Sequence, residues 1–518
     1  MKYTDHYVLG MDCGTTNIKA VIVDETGKII AEASRPSTII LDAAGNQEQD
    51  PNDWWKIAVE IFHSLGVQLG TDVMGRIRGI SISSHTVTML PVDRQGQAIR
   101  NAITYQDRRS VGELQYILEK VGRDRFVEIV GGQPSAAFLP SKILWYKNNE
   151  PKNFAKTAWF LQANSYINYR LTGEMVTDLD QASRSQCFDM NQMCWSEEIG
   201  NVIGVDLSGC LPRVCPVDEI IGRVTDGAAR ETGLKSGTLV IAGCSDAMAS
   251  VYAMGLSKLG EVGESSGTSS LVFAGSTCKS SMTVPVVTRP CSIKGIPWIF
   301  DAPITTTGAA IQWYIHTFAE NEKKDCEKSE RDIYELLNQQ ALNVRPGSNG
   351  VMFFPYLLGE RAPLWDDYVR AMFIGLDAST EKTDLIRAVF EGTAYALRHV
   401  VETLRQSGAT CDVLKVCGGG SKSRVWSMIK ASMLHCPVEV LSDNSGNVPM
   451  GDAILVGNKL GIFNDLEETA KNIIHVKEII EPVREWERIY DAMFPYYVKI
   501  GHDILNDSHQ MRKQLLAI

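Results

Sequence analysis

The sequence predicts an α/β protein of two domains, and three observations carry that prediction. At 518 residues the chain exceeds one typical hydrophobic core. It opens with short apolar runs separated by turn residues, and the same pattern returns halfway along. Apolar runs also pass through glycine into helical patterns at several places. The division is placed at Tyr252-Ala253, giving domains 1–252 and 253–518.

Composition narrows the partners. With 44% hydrophobic and 22% charged residues, this is an ordinary globular chain. The net charge of -11 argues against a broad nucleic-acid or anionic-membrane footprint, so neither partner is expected. An anionic substrate would need a local site of amides and a metal ion. The opening MKYTDHYVLGMDCG lacks the apolar core of a signal peptide, and no run reaches the length of a membrane span. Twelve cysteines without C-x-x-C spacing read as reduced thiols, Cys210 and Cys215 included. A cytoplasmic location is expected.

In chain order, Tyr7–Met11 and Ile18–Val23 read as strands, and Lys28–Ala33 as a third after the Asp24-Glu25-Thr26-Gly27 turn. Two hairpins in series follow. Gly14-Thr15-Thr16-Asn17 offers backbone amides and hydroxyls that can hold phosphate oxygens. Asp12 would lie beside those phosphates, where a carboxylate needs a cation such as Mg²⁺. The plainer alternative is a hairpin whose Asp caps its own turn. No G-x-x-x-x-G-K-[ST] occurs, so a nucleotide would need another architecture. Trp54–Gly66 and Asp384–Gln406 read as core helices from their apolar spacing.

Leu239–Ala242 is a strand ending at Gly243, after which Asp246 opens a helix of small residues. That Asp is either a helix cap or a group that a small ligand can approach. Gly260–Phe273 repeats the Gly/Thr/Ser turn, so two halves could pinch a triphosphate between them. Glu320–Lys328 reads as a solvated charged face. The acid–base pair Glu360-Arg361 reads as structural. Val416-Cys417 runs into Gly418-Gly419-Gly420 and then a helix, Arg424–Leu434. Three glycines remove every Cβ where a flat ring or a phosphate could lie against backbone. Another small-residue helix is expected over Asp452–Leu460. From Glu467 onward the chain reads as helical and packed on the second domain, with Trp486, Tyr490, Phe494, Tyr496 and Tyr497 in a core or interface.

Ala371–Leu376, then seven residues, then Asp384–Glu391 resembles the C-terminal signature of the FGGY carbohydrate kinases. GMDCGTTNIKA, CSDAMAS, GESSGTSS, FFPYLLGERAP and CGGGSKSRVW resemble that family's other motifs, in the expected order from about Tyr7 to Phe463. The resemblance implies an ATP-dependent sugar or polyol kinase on the two-domain actin-like (ribonuclease H-like) fold. Its active cleft would run between a sugar-side N-terminal domain and an ATP-side C-terminal one. Asp246 would be the general base, and Asp12 would help place Mg²⁺ through its water shell. Gly14, Thr15 and Thr16 would border the phosphates from one side, Gly267 and Thr268 from the other. Gly308, Gly418, Gly419, Gly420 and Ser423 would line the ATP side. His85 matches the position where pentulose kinases present a His to the sugar, with Ser84 and Asp107 on the same side.

These roles suit phosphoryl transfer, in which a protein mainly positions the reactants, neutralises charge, accepts the hydroxyl proton and excludes water. Ser84-His85-Thr86 stands where glycerol kinases carry Arg-Glu, so glycerol is not expected and a ketopentose such as xylulose is. Ala247 replaces the Asn that often follows the catalytic Asp in pentulose kinases, which leaves other ketoses, polyols and sugar acids open. Two other classes share the fold: ATP-driven chaperone or filament proteins, and non-catalytic sugar-binding relatives. Asp246 as a base argues against the first, and intact Asp12, Thr15 and triple glycine against the second. The resemblance allows a homodimer.

Overall fold

The computed structural model describes residues 6–280, 286–442 and 446–517. Packing divides the chain into two compact units. The first comprises Met1–Ser257, Arg289–Pro297 and Gly446–Ile474; the second comprises Lys258–Thr288, Trp298–Ser445 and His475–Ile518.

The first unit is built on a six-stranded sheet. Its strands are β1 (Tyr7–Cys13), β2 (Asn17–Asp24), β3 (Ile29–Pro36), β4 (Ile77–Ser84), β5 (Ile220–Arg223) and β6 (Leu239–Ile241), in the order β5-β6-β4-β1-β2-β3. β1, β2 and β3 form an antiparallel meander; β4 is parallel to both β1 and β6, and β5 is antiparallel to β6. All seven residues of β1 are buried, as expected of a central strand covered on both faces, whereas the edge strand β3 alternates. The core helix Pro51–Met74 starts before Trp54 because Asp50 caps it and Pro51 opens its first turn. It buries Trp54, Ala58, Ile61, Phe62 and Leu65 at helical spacing.

The second unit repeats this grammar. Its sheet comprises β7 (Glu261–Ser266), β8 (Ser270–Ser276), β9 (Val287–Ile293), β10 (Ile296–Ile304), β11 (Val413–Cys417), β12 (Val438–Leu441) and β13 (Val476–Ile480), in the order β9-β10-β8-β7-β11-β12-β13, with residues 289–297 of β9 and β10 counted in the first unit. β7, β8 and β10 form the meander; β11 is parallel to both β7 and β12, and β13 is antiparallel to β12. The Lys382–Gln406 helix begins with a capping box between Glu381 and Asp384.

Units and consecutive stretches differ at one helix in particular. Val448–Lys459 belongs to the first unit, and glycines are the reason. A Cβ on Gly10 would lie 1.9 Å from the Pro449 carbonyl oxygen, and one on Gly451 would lie 1.9 Å from that of Ala249. Only glycine lets this helix lie backbone to backbone on β1 and on the Asp246–Ala253 helix.

Two expectations change. The segment from Glu467 onward is not continuously helical: Leu466–Ile473 is a helix of the first unit, β13 intervenes, and Arg484–Ala517 is a separate helix. Pairing with the edge of β12 overrides local helical propensity there. Tyr490 and Tyr497 are core residues, but Tyr496 is 59% exposed. Glu320–Lys328 is a regular helix with a solvated face, held by ion pairs such as Lys324–Glu320. All twelve cysteines are free, Cys210 and Cys215 included. Among the described residues no helix is long and apolar enough to cross a membrane.

Candidate active site

In the first unit the site grows from the C-terminal end of β1. Asp12 pairs in register with Lys19 of β2 and Ser83 of β4, and is buried. Burial and, next, repulsion from Asp246 push its carboxyl up to about 8, while Lys19 pulls the other way. Two carboxylates are thus held close enough to repel. The following turn is tight: a Cβ on Gly14 would lie 2.6 Å from the Asn17 carbonyl oxygen. Gln49 and the Ser37 amide hold the Thr15 and Thr16 carbonyls at 2.9 and 2.8 Å, with Thr16 itself exposed.

Asp246 is half-buried in the first turn of the Asp246–Ala253 helix, and its Oδ1 accepts the Ala247 amide at 2.7 Å. The cap is Ser245, not Asp246: the Ser245 hydroxyl accepts the Met248 amide. Ser245 is itself held through its amide and hydroxyl by the fully buried Asp180.

His85 follows β4, fully buried. Its Nδ1 lies 2.8 Å from the Cys13 carbonyl, which can only accept, so Nδ1 carries the proton and Nε2 is an acceptor. Burial lowers the ring to about 4, keeping it neutral at pH 7. Nε2 is buried without a partner, as are Trp54 Nε1, on the indole packed 6.1 Å from the His85 ring, and Thr86 Oγ1. An acceptor, a donor and a hydroxyl therefore gather unsatisfied near the end of β4, an arrangement suited to a polar ligand.

The two other sugar-side residues are engaged by the protein. The Ser84 hydroxyl lies within a buried network, 3.0 Å from Gln181 Nε2 and 3.3 Å from Asn164 Oδ1. Asp107 Oδ2 accepts the Gln47 amide at 2.7 Å and Arg109 at 2.8 Å, and its Oδ1 accepts Arg109 again. Asp107 thereby fixes Arg109, which also pairs with Glu48 and stacks over Trp145.

In the second unit the Gly267-Thr268 turn between β7 and β8 is exposed, and the other predicted glycines pack around it. A Cβ on Gly308 would lie 2.3 Å from the Gly267 carbonyl oxygen. The amides of Gly308 and Ala309 donate to the Gly267 and Thr268 carbonyls at 3.0 Å each. Gly418, at φ +85°, and Gly420 both abut Ser266, where a Cβ would come within 2.4 Å. Around Gly419 there is open space. One glycine of the three thus leaves bare backbone facing outward, and the other two permit close packing. Ser423 caps the Arg424–Leu434 helix, and its hydroxyl donates to Asn338 at 2.6 Å.

The sequence alone missed Asp180, Ser83 and Asp452. Asp452 is fully buried in the Val448–Lys459 helix and accepts Ser81 Oγ at 3.0 Å and Ser83 Oγ at 2.6 Å. Burial holds its carboxyl well above the usual range. A signal existed in Ser81 and Ser83, polar at alternate positions of an otherwise apolar strand and so on one face.

Two sheets of one topology, with crowded carboxylates at the end of one and a glycine-packed turn at the end of the other, define a two-domain actin-like phosphotransferase. The chain belongs to the FGGY family of carbohydrate kinases: the family's N-terminal domain matches residues 7–253 and its C-terminal domain residues 264–458. Xylulose kinase of Bacillus subtilis (strain 168) is 30% identical over 494 residues, covering 95% of this chain and 96% of that one. Gluconokinase of the same organism is 26% identical over 512 residues, covering 98% and 97%. The crystal structure of xylulose kinase from Rhodospirillum rubrum superimposes with a TM-score of 0.89 at 26% identity, over 97% of this chain and 100% of that one. The protein is an ATP-dependent carbohydrate kinase.

Proposed function

We propose that this kinase transfers the γ-phosphoryl group of ATP to a hydroxyl of a ketopentose such as xylulose, in the cytoplasm. Residues 1–252 supply the sugar side and 253–518 the nucleotide side. The observation that carries the sugar assignment is the unpartnered, buried Nε2 of His85, a neutral acceptor beyond the strand pair that bears Asp12. A substrate hydroxyl donates to it, and Trp54 Nε1 and Thr86 Oγ1 meet further hydroxyls. Ser84 and Asp107 act from behind, by holding the chain that presents His85 and Arg109. Xylulose is the substrate named for the relative of highest identity quoted above.

Asp246 accepts the proton of the attacking hydroxyl, raising its nucleophilicity as the bond to phosphorus forms. Asp12 and Asp246 are hard oxygen donors crowded enough to repel, and among the described residues no cluster of three or more ligating side chains occurs. That donor set fits Mg²⁺, which takes one or two carboxylates and completes its shell with water and phosphate. Asp12 would hold the ion through its water, and the bound ion would neutralise phosphate charge. Gly14, Thr15 and Thr16 border the phosphates in the first unit, Gly267 and Thr268 in the second. Gly419 receives the adenosine, with Gly308, Gly418, Gly420 and Ser423 shaping that side.

A coupled ADP-release assay over ketopentoses, other ketoses, polyols and sugar acids tests the assignment. The expected result is the highest kcat/KM for a ketopentose. A sugar acid is the second reading, favoured by the gluconokinase relative and by Ala247 in place of Asn. Higher kcat/KM for gluconate than for any ketopentose replaces the first reading with the second.

A further inference from the structure

We propose that Asp452 is a positioning residue that captures the Ser83 hydroxyl, so that Asp12 Oδ1 stays available to a hydrated cation. The inference rests on the reading of Asp12 as the Mg²⁺-side carboxylate.

Ser83 Oγ lies 2.6 Å from Asp452 Oδ2 and 3.5 Å from Asp12 Oδ1. A serine hydroxyl has one proton to donate, and the shorter contact receives it. Ser81 Oγ, 3.0 Å from Asp452 Oδ1, holds the other oxygen and fixes the carboxylate's orientation. Asp452 has no exposed surface, and its helix neighbours Gly451, Ala453 and Ile454 are buried too. Packing alone would favour an apolar side chain there, because a buried carboxyl group is costly even when hydrogen-bonded. The carboxylate earns its place through the serine it restrains. Were it absent, the Ser83 proton would turn to Asp12 Oδ1 and compete with a metal-bound water for the same lone pairs.

The test is Mn²⁺ binding to the full chain in the presence of ADP, read by electron paramagnetic resonance. Asp452→Ala is expected to weaken Mn²⁺ affinity roughly three- to tenfold, the effect of one hydrogen bond. Asp452→Ala combined with Ser83→Ala is expected to regain the affinity of the unmodified chain, because the competing hydroxyl is gone. A double variant as weak as Asp452→Ala overturns the inference, since the aspartate would then act by its charge or by packing. Unchanged affinity in Asp452→Ala overturns it as well. If Asp452→Ala does not fold, Ser83→Ala decides: unchanged affinity supports the inference, and weakened affinity overturns it. Failure of the unmodified chain to bind Mn²⁺, or binding indifferent to Asp12→Asn, removes the cation from Asp12 and the inference with it.

Discussion

The two units use one strand grammar for opposite purposes. In the first, Gly10 and Asp12 lead into the turn at Gly14; in the second, Gly263 and Ser265 occupy the same spacing before Gly267. The first unit places carboxyl groups at its turn: Asp12 is crowded by Asp246, with Lys19 pulling the other way. The second places shape there: its glycines let backbone meet backbone, and the buried Glu264 of β7 pairs with Lys430 at 2.7 Å. Crowded carboxyl groups suit the handling of a cation and a proton, as proposed above. Bare backbone suits a large ligand, as proposed above. Splitting the two lets each turn satisfy one demand.

Five substitutions and one pH series test this contrast. Asp246→Asn should lower sugar phosphorylation by about a thousandfold, while ATP binding measured by calorimetry is unchanged. Lost nucleotide binding in that variant would mean the division of labour is wrong. Next, Lys430→Met should strand Glu264 in the core of the second unit and cost about 3–5 kcal/mol, read as a lower denaturation midpoint. The buried ion pair would thereby prove structural, unlike the carboxylates of the first unit.

His85 supplies a pH test. Its folded value, about 4, lies below the 6.5 of the unfolded chain, so the unfolded state binds more protons between those values. The stability it contributes is present above pH 6.5 and is lost as pH falls toward 4, on the order of 3 kcal/mol in all. Chemical denaturation at stepped pH should show that decline, and a shallower one in His85→Gln. The smallest effect separates the glycines. Gly419→Val should raise the KM for ATP about tenfold without changing the melting temperature, because open space surrounds it. Gly418→Ala should lower the melting temperature, because its φ of +85° and the Ser266 carbonyl both oppose a Cβ.

What was legible in the sequence was local. β1 to β3, the two turns, the Arg424–Leu434 helix and the Asp246 helix follow from alternation, turn residues and small-residue runs, all within about a dozen neighbours. Asp12 and the glycines stood out by residue type in their turns, whereas His85 and the base role of Asp246 came from the resemblance to the carbohydrate kinases. The strand grammar was therefore set locally, and the candidate residues for chemistry could be named from local motifs. The sequence by itself did not determine which unit holds the Val448–Lys459 helix, nor that Ser84 and Asp107 are engaged by the protein, nor that Asp452 lies beside Ser83. Those depend on side chains meeting across hundreds of residues, 369 between Ser83 and Asp452. Only the closed tertiary structure decides such contacts, because packing and burial, rather than any local preference, set which distant groups share one low-dielectric space.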